Sequence, residues 1–175
     1  TAEAGSSVEL FADGISLGSS ITDSNSNWSY TVANEAPLAD GSIAITATTT
    51  TEHSTSTSDP SDPLNLTIDA TAPAFSSGDT ATPIEENSGA AQVIYTAAAD
   101  DASDVSYSLK QNNSDDAESF SIDASTGKVS LTDDPDYETN PSYSFSVSAT
   151  DLAGNSSEQL VALNINNIYE TYILN

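Results

Sequence analysis

Cysteine is absent from this chain, so no disulfide can staple it. Small domains without that staple depend on their core or on a bound metal. Basic residues are nearly absent too: 2 Lys plus Arg stand against 27 Asp plus Glu, a net charge of −25 over 175 residues. With no basic patch to neutralise phosphates, nucleic acid is excluded as a partner. Anionic membrane surfaces are excluded as well, unless a divalent cation bridges. No apolar run approaches the length of a membrane span, and no signal-peptide pattern opens the chain at Thr1. Direct membrane insertion is therefore not expected. Aromatic content is only 7%, which argues against an aromatic-lined ligand groove.

What the chain does have is carboxylate, and it is clumped. DDPDYE occupies 133–138 and AADDASD occupies 98–104. Clumped acids on short loops suit a hard cation such as Ca²⁺, which takes six to eight oxygen ligands. Most of the 27 acids are expected to be a solvated coat, as in salt-adapted proteins, with a handful acting as ligands.

Low hydrophobicity with high net charge is a signature of disorder, but the apolar residues here alternate too regularly for that. Trp28, Tyr30 and Val32 share one face, as do Ile43, Ile45 and Ala47. Leu64, Leu66 and Ile68 repeat the pattern, followed by Val105, Tyr107 and Leu109. Tyr143, Phe145, Val147 and Ala149 give the longest run, and Val161, Leu163 and Ile165 close the series. Turn signals such as Asp13-Gly14, Asp40-Gly41, Thr126-Gly127 and Gly154-Asn155 separate them. The spacing predicts strands near 7–12, 15–21, 27–33, 42–50 and 63–69, then 82–86, 91–97, 105–111, 119–123, 128–132, 142–150 and 158–168. Many short strands at this spacing predict all-β sandwiches. A boundary at about residues 69–73 predicts two domains, 1–70 and 71–175. The first is short of strands, so its opening strand is expected to precede Thr1. The tract at 48–63, TTTTEHSTSTSDPSDP, reads as a strand end followed by a loop.

Catalytic readings are weak. His53 is the only histidine and lies in that Thr/Ser tract, whereas a triad needs a fixed His–acid pair in a pocket. DYE could supply a carboxylate pair, but nothing indicates a sugar cleft. DSNSN at 23–27 begins like a calcium loop but lacks the glycine and terminal acid such a loop needs, so a hairpin turn is expected. Trp28 reads as core. Tyr169 and Tyr172, after the last strand, read as packing residues.

Five segments of the second half occur in a telling order: IEEN at 84–87, AADDASD at 98–104, FSIDASTGKVSL at 120–131, DYE at 136–138 and ATDLAGN at 149–155. Together they resemble a cadherin-like domain of the kind repeated in large bacterial surface adhesins. In the first half TAEAGSSVELFADG, NWSYTV and LADGSIAITAT resemble the bacterial Ig-like domains of the same adhesins, and TIDATAP at 67–73 resembles their linker. The resemblance implies two tandem Greek-key β-sandwiches, Ig-like then cadherin-like, arranged end to end in a repeats-in-toxin-type adhesin.

The resemblance also implies Ca²⁺ at domain junctions. One end of the second domain is expected to present Asp69 from the linker, Asp100 or Asp101, Asp151 and Asn155. The other end is expected to present Glu86, Asp136 and Glu138, with Asn166 and Asn167. If DYE is a strand, Asp136 and Glu138 point one way and Tyr137 the other. Asparagines in place of the family's aspartates lower the charge count and should weaken this second site.

The implied function is a non-enzymatic, calcium-stiffened stalk, extracellular on a bacterial surface, projecting a distal ligand-binding region in adhesion or biofilm formation. Its expected partners are neighbouring domains of the same chain, and a monomer is expected. A direct calcium-dependent glycan- or peptide-binding module is the alternative.

Overall fold

Alternation of side chains on a pleated backbone dictates most of this architecture. The computed structural model describes residues 2–33, 37–111 and 115–169; Tyr172 and the segment 112–114 lie outside them. The chain divides into two units, Thr1–Ala70 and Thr71–Asn175.

In the first unit β1 (Ser7–Ala12), β2 (Ile15–Ile21), β3 (Gly41–Thr50) and β4 (Leu64–Ile68) form one antiparallel sheet in the order β2-β1-β3-β4. Asp13 and Gly14 turn the first hairpin at φ 47° and 82°, the left-handed pair that matches strand twist. Val8, Leu10 and Ala12 alternate into the core opposite Thr49, Ala47 and Ile45.

The strand predicted at 27–33 does not form. Trp28 is 41% exposed and lines a surface depression with Val8 and Ala47, so its ring lies over the sheet without joining a ladder. The backbone there is turned by Asp23, whose carboxylate accepts the N–H groups of Asn25 and Asn27. Tyr30 anchors the segment by donating its hydroxyl to the Leu17 carbonyl. DSNSN is thus a turn, as its missing ligands suggested.

The second unit is a sandwich. Its strands are β5 (Ala74–Phe75), β6 (Ile84–Glu85), β7 (Val93–Thr96), β8 (Ala99–Asp100), β9 (Ser106–Leu109), β10 (Phe120–Ile122), β11 (Lys128–Leu131), β12 (Ser142–Thr150) and β13 (Ser156–Asn166). One sheet runs β6-β13-β12-β9 and another β10-β11-β7, with β5 and β8 as a separate pair. From β12, Phe145, Val147 and Ala149 point inward; from β13, Val161, Leu163 and Ile165 do. All of these but Ala149 share one core cluster with Ile94, Phe120, Val129 and Leu131 of the facing sheet. The rings of Phe120 and Phe145 lie 4.4 Å apart, and Tyr95 meets Phe145 edge-on at 6.0 Å. Full burial of each such side chain contributes about 1.5–3 kcal/mol.

Pattern reading missed β5 and β8, because two residues are too few for alternation to register. The fold places acidic loops beyond both ends of β12. The 133–138 loop precedes it and Asp151 follows it, separated by nine strand residues or about 30 Å.

Candidate metal-binding site

The 133–138 loop is not a strand. Residues 137–139 form a turn, closed by the Asn140 N–H donating to the Asp136 carbonyl at 2.9 Å. The Asp136 side chain caps that turn, accepting the Thr139 N–H at 3.2 Å and the Thr139 hydroxyl at 2.7 Å. An aspartate three residues before a threonine is a local capping pattern, and that pattern outcompetes extension here. The expected alternation of Asp136 and Glu138 around Tyr137 is therefore corrected. The two acids converge because the chain curls, while Tyr137 is half-buried against the core.

Glu86 completes the group. Carboxylate oxygens of Glu86, Asp136 and Glu138 lie within 4.8 Å of one another. Asp136 and Glu138 are exposed, but Glu86 is only 1% exposed. A buried carboxylate needs compensation, and Glu86 receives it from backbone. Its Oε2 accepts the Tyr137 N–H at 3.1 Å and its Oε1 the Ile168 N–H at 2.6 Å. Its own N–H donates to the Asn166 carbonyl at 3.1 Å. The next residue, Asn87, adopts φ 57° and donates its N–H to the Pro135 carbonyl at 2.9 Å. Three chain segments distant in sequence are thus tied around one acid.

Asn167 lies beside Glu138 and acts there as a donor: its Nδ2 reaches Glu138 Oε1 at 3.0 Å. Asn166 contributes its backbone carbonyl, which accepts the Glu86 N–H. Sequence reading overlooked Thr139 and the N–H groups of Tyr137 and Ile168. The Asp-x-x-Thr spacing was the available signal for the first; backbone donors leave none.

The electrostatics follow from the crowding. Desolvation raises the Glu138 carboxyl above its ordinary value, helped by a hydrogen bond shared with Glu86 and by the charges of Glu86 and Asp136. The Thr139 hydroxyl and N–H hold the Asp136 carboxyl below its ordinary value. The set offers oxygen only, three carboxylates with backbone and amide oxygens nearby, which suits a hard divalent cation rather than a thiolate- or imidazole-seeking one.

At the other end of β12, Asp101 and Asp151 each bring a carboxylate oxygen within 4.8 Å of the other. Asp151 is buried at 6% exposure. Its Oδ1 accepts the N–H groups of Gly154 at 2.6 Å and Asn155 at 2.8 Å, and its Oδ2 accepts Asn155 Nδ2 at 2.8 Å. Burial pushes this carboxyl up, but the Asn155 side chain and the backbone donors outweigh it and the net shift is downward. Asp101 is held by Ser103, through its N–H at 2.9 Å and its hydroxyl at 3.0 Å. Asp100 is exposed on β8 opposite Ala74. Asp69 is half-buried just after β4 in the first unit. Tyr169, expected to pack, is instead fully exposed.

Residues 80–166 match the family model of the cadherin domain. Among solved structures, Drosophila N-cadherin EC1-3 aligns with a TM-score of 0.51 at 19% identity, over 93% of this chain and 56% of that one. Protocadherin Gamma B7 extracellular cadherin domains 1-4 align with a TM-score of 0.51 at 15% identity, over 93% of this chain and 41% of that one. Protocadherin Gamma B2 extracellular cadherin domains 3-6 align at 24% identity and a TM-score of 0.47, over 54% of this chain and 22% of that one. The chain thus spans between 22% and 56% of the length of these structures, and the two with a TM-score of 0.51 speak for its fold alone. No curated protein matches it. Among the described residues no helix is long and apolar enough to cross a membrane.

Proposed function

Since residues 80–166 carry a cadherin domain, we propose that the chain is an extracellular, calcium-stiffened extender segment of a bacterial surface adhesin. It projects a distal ligand-binding region and has no catalytic role. The observation that carries this reading is the convergence of Glu86, Asp136 and Glu138 within 4.8 Å around a buried carboxylate. Three carboxylates this close repel one another, and a bound divalent cation supplies the positive charge that turns the repulsion into attraction.

Asp101 and Asp151 form the second pole of the reading. Asp69 and Asn155 are further ligands proposed there from the sequence motifs, with Asp100 as the alternative to Asp101. Asn166 and Asn167 are the proposed neutral ligands beside Glu138. The first unit is proposed to be Ig-like, with neighbouring domains of the same chain as its partners.

Millimolar Ca²⁺ is expected to raise the melting temperature and resistance to proteolysis relative to excess EDTA. At a hundredfold excess over Kd the gain is about 2.7 kcal/mol. Identical melting curves in Ca²⁺ and EDTA, together with no heat in a calorimetric Ca²⁺ titration, would reject the reading. Mg²⁺ at equal concentration separates specific binding from general screening of a chain at −25.

One observation favours the alternative of a direct binding module: Tyr169 is fully exposed beside Asn167 and Ile168. Calcium-dependent hits on a glycan or peptide array that vanish in Tyr169→Ala would favour that alternative.

A further inference from the structure

The first unit contains a device unrelated to the acids. β4 pairs with β3 only from Gly41 to Ile45, so among the described residues no regular strand lies beside that side of β3 beyond Ile45. The backbone groups of Ala47 and Thr49 face outward there, a template on which another chain could add a strand.

Two consecutive Ser-Asp-Pro triplets, 58–60 and 61–63, fill this edge in an unusual way. Ser58 donates its N–H to the Thr49 carbonyl at 2.9 Å, and its hydroxyl oxygen accepts the Thr49 N–H at 3.0 Å. Ser61 repeats the arrangement on Ala47, donating its N–H to the carbonyl at 2.9 Å and accepting the N–H at 3.0 Å. Each serine thus satisfies both backbone groups of one β3 residue, using its side chain where a strand would use a carbonyl. The carbonyls of the two aspartates are occupied as well. The Ser58 hydroxyl donates to the Asp59 carbonyl at 2.8 Å and the Ser61 hydroxyl to the Asp62 carbonyl at 3.0 Å. Pro60 and Pro63 have no N–H to offer. Asp59 and Asp62 are exposed and add like charge against any copy of the same chain.

We propose that the paired Ser-Asp-Pro triplets are an edge guard, closing β3 at Ala47 and Thr49 against strand addition by a second copy of this chain. The outer rim of the guard lacks two donors, has two acceptors already engaged and is acidic, so it is a poor template itself.

The test is the Ser58→Ala/Ser61→Ala double variant of the full chain, compared with Ser58→Thr/Ser61→Thr, which keeps both hydroxyls. In the alanine variant, amide exchange at Ala47 and Thr49 is expected to accelerate roughly tenfold, as expected when one hydrogen bond per amide is lost. Sedimentation velocity is expected to show concentration-dependent self-association that the threonine variant lacks. Unchanged exchange at both amides overturns the proposal, as does faster exchange in a variant that stays monomeric. Should the double variant fail to fold, the single variants decide, Ser58→Ala at Thr49 and Ser61→Ala at Ala47, by the same two readouts.

Discussion

The Ile168 N–H donates to Glu86 Oε1 at 2.6 Å, across a sequence separation of 82 residues. This bond ties the chain leaving β13 to the acid at the end of β6, and the other oxygen of the same carboxylate holds the N–H of Tyr137. Glu86 therefore has two tasks: it organises backbone, and it brings negative charge to Asp136 and Glu138.

Glu86→Gln separates those tasks. The amide replaces one acceptor oxygen with a donor, so either Tyr137 or Ile168 loses its partner. A donor left unpaired in this buried place costs about 1–3 kcal/mol. Urea denaturation in EDTA is expected to show that loss, and Ca²⁺ to recover less stability than in the unaltered protein. A variant as stable as the parent in EDTA would show that the two N–H groups find other partners.

Calcium binding is expected to release protons at low pH. The Glu138 carboxyl is raised by desolvation, by its hydrogen bond with Glu86 and by neighbouring charge. A raised carboxyl favours the folded state while protonated, and that contribution is lost as pH rises through the folded value. A cation competes for the same oxygens. Proton release, measured by calorimetry in buffers of different ionisation heat, should therefore appear from the ordinary carboxylate range upward to the raised value and vanish at higher pH.

Asp123 titrates in the opposite sense. Its Oδ1 accepts the Ser125 hydroxyl at 2.8 Å, the Thr126 N–H at 2.9 Å and the Ser125 N–H at 3.0 Å. Those bonds hold its carboxyl at about 2, against an ordinary 3.8. The stability it contributes is present above 3.8 and is lost as pH falls towards about 2. Acid unfolding followed by circular dichroism should be shallower across that window in Asp123→Asn, which keeps the acceptor and removes the titration.

Gly127→Ala is expected to destabilise the second unit. Gly127 sits at φ 68°, and an added Cβ would fall 2.3 Å from the Ala97 carbonyl oxygen. The left-handed conformation alone costs a non-glycine residue about 1–2 kcal/mol, and the clash with backbone adds to it. A melting temperature equal to the parent's would mean that the β10–β11 turn can move away from Ala97.

The long strands were legible because one face of each is buried. Phe145, Val147 and Ala149 on β12 and Val161, Leu163 and Ile165 on β13 each repeat at two residues. The same reasoning failed at Trp28, whose alternation with Tyr30 and Val32 is real but joins no ladder. Periodicity reports which side chains seek a core, and not whether a neighbouring backbone is there to bond.

The acids divide in the same manner. Clumping marked Asp101, Asp136 and Glu138 in the sequence, since oxygen-rich loops are legible one residue at a time, whereas Glu86 and Asp151 were expected as ligands only through the motifs of the family resemblance. That Glu86 is buried while its partners are exposed, that Asp136 caps a turn through Thr139, and that Ser58 and Ser61 bond Thr49 and Ala47 were decided only by the tertiary structure. Each depends on backbone N–H and carbonyl groups, which every residue carries alike and which only the fold sorts into partners.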